Sequence, residues 1–184
     1  MKTKPCLVLF LSLLSLHTAI AQEMSGALPK KARTPEDYKV RTLKEIATAG
    51  SVLMRQDAGP EGETFLHGDL FPSRVRATYR GVIRPVAQPK KELIAQWAAR
   101  YAGNPDHYTQ PYTDEVLFRA SGVNHWLVVK NSSLPDLKRQ LKKGASIDLY
   151  LIRLGALKTG ATWEWVLLVD MFAKPGREVS TTTR

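Results

Sequence analysis

The chain has 184 residues, 43% of them apolar and 24% charged, which is ordinary globular usage and excludes collagen-like, mucin-like and wholly disordered proteins. Its length fits one domain and is too short for a multidomain machine. A net charge of +10 favours nucleic acid, anionic lipid, acidic glycan or acidic protein as a partner.

At the N-terminus Lys2 and Lys4 precede an apolar run from Cys6 to Leu16, and Ala19 and Ala21 supply the small residues of a cleavage site before Gln22. This is the pattern of a secretory signal peptide over residues 1–21. Its apolar stretch falls short of the about 20 residues a spanning helix needs. Cleavage after Ala21 leaves 163 residues (184 less the 21 removed), carries away Lys2 and Lys4 to give a net charge of +8, and leaves no cysteine, because Cys6 is the only one. Disulfides, thiol catalysis and thiolate metal sites are thereby excluded from the mature chain. Small eukaryotic secreted domains are disulfide-dense, so the expected setting is bacterial, periplasmic or secreted, with no transmembrane anchor after cleavage. Nucleic acid is the least accessible partner there. An acidic protein, a glycan or a lipid headgroup remains.

Residues 22–33 (QEMSGALPKKAR) read as a flexible leader to a globular domain over 34–173, and 174–184 as a disordered tail. Thr34-Pro35-Glu36-Asp37 has helix-start chemistry, and Leu43, Ile46 and Ala47 continue it as an apolar stripe that Gly50 closes. The stretch 57–62 reads as a loop. Period-two alternation then marks a strand over about 73–86: Val75, Ala77, Tyr79 and Ile83 share one face, and Arg74, Arg76, Arg80 and Arg84 the other. Gly81 in mid-run marks a bulge or bend.

Pro89 opens a helix to about 102, with Leu93, Ile94, Trp97 and Tyr101 at helical spacing and Gly103 after it. The stretch 104–114 reads as a loop. Strands follow at 115–120 and 126–130, joined through Ser121-Gly122-Val123-Asn124. A short helix runs over 133–143, and the last strands lie at 147–154 and 163–172 with 154–160 connecting them. Both late strands are apolar on each parity, which suits strands covered on both faces.

A helix placed between Trp126–Lys130 and Ile147–Leu154 resembles the architecture of the oligonucleotide/oligosaccharide-binding (OB) barrels over the last third of the chain. The fold expected is mainly β with helices, a small five- to six-stranded OB-like barrel. An SH3-like barrel or an open α+β sheet is the alternative. The helix at 89–102 has no place in the simplest OB version.

Candidate chemistry is sparse. His67, His107 and His125 show no metal-ligand spacing, and no nucleophile elbow, phosphate loop or dinucleotide fingerprint occurs, so neither a metal nor a cofactor is expected. His67 and Asp69 could bring an imidazole and a carboxylate together for general-base work, although a loop seated by Leu66, Leu70 and Phe71 accounts for them equally. Asp106, Asp114 and Glu115 could gather at one end of the sheet.

Binding is better supported. Arg74, Arg76, Arg80 and Arg84 present donor forks suited to carboxylate, phosphate or sulfate, with Tyr150 as an exposed aromatic and Trp163 as a rim platform. The same stripe also reads as a solvated, edge-protecting face. The sequence thus leads to an exported, non-enzymatic binding domain with a basic strand face for an anionic partner. The rivals are a small periplasmic hydrolase-like enzyme around His67 and Asp69, and an envelope complex-assembly or structural protein using an apolar face.

Overall fold

The computed structural model describes residues 33–51, 63–103 and 106–176. The expected signal peptide, the expected leader up to residue 32, the expected loop at 57–62 and the expected tail from residue 177 lie outside these residues.

The expected first helix divides in two. Thr34 and Asp37 cap only a 3-10 turn, Pro35–Asp37, with the Asp37 carboxylate accepting from the Thr34 N–H at 2.7 Å. The chain then extends as β1 (Lys39–Val40) and restarts at α1 (Leu43–Ser51). A second capping box restarts it: the Glu45 N–H donates to Thr42 Oγ1 at 3.1 Å, and the Thr42 N–H donates to Glu45 Oε2 at 2.5 Å. Tyr38, between the two, is buried against Tyr150.

Next come β2 (Thr64–Leu66), which sequence alone leaves as irregular chain, and β3 (Ser73–Pro85). β3 keeps the expected alternation: Val75, Ala77 and Tyr79 are buried, and the arginines lie on the other parity. Its pairing with the next strand jumps between Tyr79 and Ile83, where Gly81 takes a φ of 73°. α2 (Gln88–Trp97) continues into a π-helical turn, Ala98–Ala102, and the expected loop after it contains α3 (Asp106–Thr109).

β4 (Asp114–Ala120) and β5 (Val123–Val129) form a hairpin on a two-residue turn, with Ser121 and Gly122 at φ 49° and 82°. Two successive positive φ values are what a twist-matched tight hairpin demands. α4 (Leu134–Gln140) leads to β6 (Ser146–Thr159) and β7 (Thr162–Ala173). Residues 154–160, expected to connect two shorter strands, instead carry β6 almost to its hairpin turn.

The strands form one seven-stranded mixed sheet in the order β1-β3-β4-β5-β7-β6-β2, and the first half of β3 also pairs with β6. Residues 147–158 of β6 are all buried, because apolar layers cover both sides of the strand. Ile147, Leu149 and Leu151 face one core with Val75, Phe118, Leu127, Leu167 and the stripe of α1, Leu43 and Ile46. Tyr150, Ile152 and Leu154 face a second core with Leu93, Ile94, Trp97 and Ala98. Gly155 allows β2 to approach: a Cβ there would stand 2.1 Å from the Phe65 carbonyl oxygen.

The expected small five- to six-stranded OB-like barrel is therefore corrected to a mixed β/α fold. Sequence alone misses β1 and β2, each too short to show a period. The helix at 89–102 proves to be the cover of a second core that a small barrel with a single interior does not have.

Candidate functional site

Two of the four arginines of the stripe are occupied by carboxylates of the protein itself. Arg76 forms a two-pronged pair with Asp148, its cross-strand neighbour on β6. Arg84 holds Glu115 with Nε at 2.9 Å and lies over the Trp126 ring at 3.9 Å. Glu115 is fully buried and also receives the Lys90 ammonium at 2.5 Å, and Lys90 in turn reaches Glu164 at 2.7 Å. Arg74 and Arg80 are half-buried on the same strand face.

Tyr150 is corrected from an exposed platform to a core residue, 3% exposed and edge-on to Tyr38 with ring centroids 5.3 Å apart. Its strand is covered on both faces, so sharing parity with Asp148 does not bring it to solvent. Of the carboxylates expected to gather, Asp106, Asp114 and Glu115, the last is locked with Lys90, while Asp114 accepts from Thr113 Oγ1 at 2.8 Å.

His67 and Asp69 do not pair. Asp69 Oδ1 accepts the Phe71 N–H at 2.9 Å, holding Phe71 at a φ of 47° that few non-glycine residues adopt. His67 Nε2 stands 3.3 Å from the Arg153 guanidinium, and its backbone carbonyl accepts the Trp97 indole N–H at 2.8 Å. Burial, and then the Arg153 charge, lower the His67 pKa below the ordinary value of 6.5, so the imidazole is neutral at neutral pH. With Nε2 accepting from Arg153, Nδ1 carries the hydrogen and faces the backbone of Asp69, whose nearby charge opposes part of the lowering. Among the described residues no group of three or more His, Cys, Asp or Glu side chains could hold a metal ion.

The residue that sequence reasoning missed is Arg153. It extends the row Ile147, Leu149, Leu151 into the first core, where it is 2% exposed. Its guanidinium donates to the Ile46 carbonyl at 3.2 Å and lies near the Phe71 and Trp165 rings, at 4.5 and 5.0 Å. Its Nε–H has no acceptor, and among the described residues no carboxylate pairs with it. Nothing in the local sequence distinguishes this position from a solvated one. Only the burial of both faces of β6 makes it unusual.

Beside Arg153 the sheet parts. β5 and β7 run parallel but pair only at Val128–Leu168 and Val129–Val169. Their first halves frame a cleft of about 320 Å³, with Asn124 to Leu127 on one side, Trp163, Glu164, Trp165 and Leu167 on the other, and Leu43, Ile46 and Ala47 of α1 at the end. Trp163, foreseen as a rim platform, is half-buried on this wall and its indole N–H lacks an acceptor. His125 also lines the cleft, and burial lowers its pKa. Three indoles thus converge here: Trp126, Trp163 and Trp165.

Compared with known protein families, curated proteins and solved structures, the chain matches none. Among the described residues no helix is long and apolar enough to cross a membrane.

Proposed function

We propose that the chain is a non-enzymatic interaction domain of an exported assembly, and that it holds an extended segment of a partner protein in the cleft between β5 and β7. The observation that carries this reading is the parting of the two strands: below Val128 and Leu168 their facing edges are unpaired among the described residues, and three indoles line the gap. Unpaired strand edges offer N–H and C=O groups to an added strand, while the side pockets select its residues. Indoles supply large contact area at low entropic cost, as binding sites require.

This reading favours assembly over catalysis. His67 is committed to Arg153, Asp69 to the backbone of Phe71, and Glu115 to two cations. It also favours the cleft over the arginine stripe, two of whose four members already hold carboxylates. Lys2, Lys4, the apolar run and the small residues before Gln22 support export to a bacterial envelope or beyond.

Selection from a random peptide library tests the reading, with the Ala47→Trp variant, whose added indole fills the end of the cleft, as counter-selection. Peptides retained by the native protein and released by the variant are expected. Enrichment that ignores Ala47→Trp, or none at all, overturns it.

A further inference from the structure

Two guanidiniums of the stripe stay outside its ion pairs, and strand register sets a third beside them. Arg74 and Arg80 make no ion pair among the described residues. Arg119 stands opposite Thr78 on β4, donates from Nε to the Gly122 carbonyl at 3.1 Å, and likewise makes no ion pair. Directly opposed residues share a face of the sheet, so Arg119 lies on the face of Arg74, Arg76, Thr78 and Arg80. At the edge of this face Lys143, also without an ion pair, has its Cβ 3.6 Å from where a Cβ on Gly81 would stand.

Every carboxylate that strand pairing brings to this face is already held. Asp148 stands opposite Arg76 and is held by it, and Glu115 stands opposite Arg84 and is held by Arg84 and Lys90. Asp170, in the β7 bulge across from Tyr150, is held by Arg33, and Glu164 shares Lys90 with Glu115. With all four carboxylates matched against their cations, the charges left over are those of Arg74, Arg80 and Arg119. Apolar side chains project among them. Val40 stands opposite Arg74 at 71% exposed, and Val82 follows Arg80 on the same parity at 45% exposed. They are two of the three large apolar side chains that the described residues leave exposed, so the apolar excess of the surface gathers where the charge excess does.

We propose that this face seats the protein on a bilayer bearing anionic phospholipids, with Arg74, Arg80 and Arg119 on headgroup phosphates and Val40 and Val82 at the acyl boundary. The seat is separate from the cleft and does not depend on it. Guanidinium forks match phosphate oxygens two at a time. From Arg74 to Val82 the strand covers about 26 Å, a row too long for one small anion and suited to a surface of many headgroups. A soluble polyanion answers the charges and leaves the valines in water. A bilayer answers both, since interfacial binding joins buried apolar area to attraction by anionic lipid. The export pattern of residues 1–21 supports an envelope setting in which such a surface is at hand.

The test is vesicle flotation of the expected mature chain from Gln22, which contains every described residue, with thermal melts to check that each variant folds. The vesicles are phosphatidylcholine alone or phosphatidylcholine with about one-third phosphatidylglycerol. The native protein is expected to float with the anionic vesicles and not with the neutral ones, and less as salt rises. Arg80→Gln/Arg119→Gln is expected to lower the partition coefficient about twenty- to thirtyfold. Val40→Ser/Val82→Ser is expected to lower it about five- to tenfold with the salt dependence kept. Equal flotation with both vesicles, flotation with neither, or an arginine effect below about threefold overturns the proposal. Undiminished flotation of the valine variant, with soluble polyglutamate bound as tightly as the vesicles, overturns the bilayer in favour of an acidic protein.

Discussion

Lys90→Met perturbs the ionic centre that fastens α2 to the sheet. Lys90 is nearly inaccessible, with its ammonium 2.5 Å from Glu115 Oε1 and 2.7 Å from Glu164 Oε1, and Glu115 is fully buried. Removing one member of a buried pair costs about 3–5 kcal/mol when the other charge is left uncompensated. Here Glu115 keeps Arg84, at 2.8 Å, but that side chain is 44% exposed and partly screened. Methionine also preserves the packing of the lysine stem beside Leu93 and Ile94 on the same helix. The expected loss is therefore about 2–3 kcal/mol, a fall in Tm of roughly 4–12 °C for a chain of this size. The assay is guanidinium unfolding of Lys90→Met, Glu115→Leu and the double variant at neutral pH. The double variant should recover at least about 1.5 kcal/mol relative to the sum of the singles, because no stranded charge is left in the interior. A Lys90→Met loss below about 1 kcal/mol, or strict additivity, would refute the reasoning.

Arg153→Met, similar in length and without the buried charge, is expected to leave stability unchanged or raise it by up to about 3 kcal/mol, which thermal melts check. Gly155→Ala puts a methyl group against the Phe65 carbonyl, so β2 is displaced and the His67 amide, which donates to the Leu154 carbonyl of β6, loses hydrogen-exchange protection, at a cost of about 1–3 kcal/mol. Burial and Arg153 lower the His67 pKa, so the unfolded chain takes up a proton first and stability falls as the pH drops through 6.5; His67→Gln should flatten part of that slope in urea unfolding measured from neutral pH downward. His125 has the same sign and is expected to account for part of the remaining slope.

Much of the fold was legible in the sequence where a period ran long enough to be counted. β3, α2, the β4–β5 hairpin and the paired late strands all carry alternation or helical spacing over several turns or pleats. β1 and β2 have two and three residues, too few for any period, and they exist because β3 and β6 offer them an edge. The break between the 3-10 turn and α1 was written as a second Thr-x-x-Glu box at Thr42, hidden behind the first one at Thr34. The barrel expectation failed for a different reason: strands apolar on both parities say that both faces are covered, and not whether one core or two does the covering.

The site was less legible, because it is made by an absence of pairing. Trp126, Trp163 and Trp165 could each be assigned to a strand, but that β5 and β7 separate below Val128 and Leu168 is a property of two elements far apart in the chain. The arginines misled in an instructive way. Those visible as a stripe, Arg76 and Arg84, meet carboxylates supplied by neighbouring strands. Arg153, which sits in an apolar run, is the one arginine that is almost wholly buried, and it has no carboxylate in salt-bridge contact among the described residues. A chain selected for stability alone would place an aliphatic side chain in the row after Leu151, since a buried cation without a counter-ion is among the more expensive things a core can hold. Here that cost is reduced by the Ile46 carbonyl, the His67 imidazole, the faces of the Phe71 and Trp165 rings and the nearby charge of Asp69, groups that come together only in the folded chain.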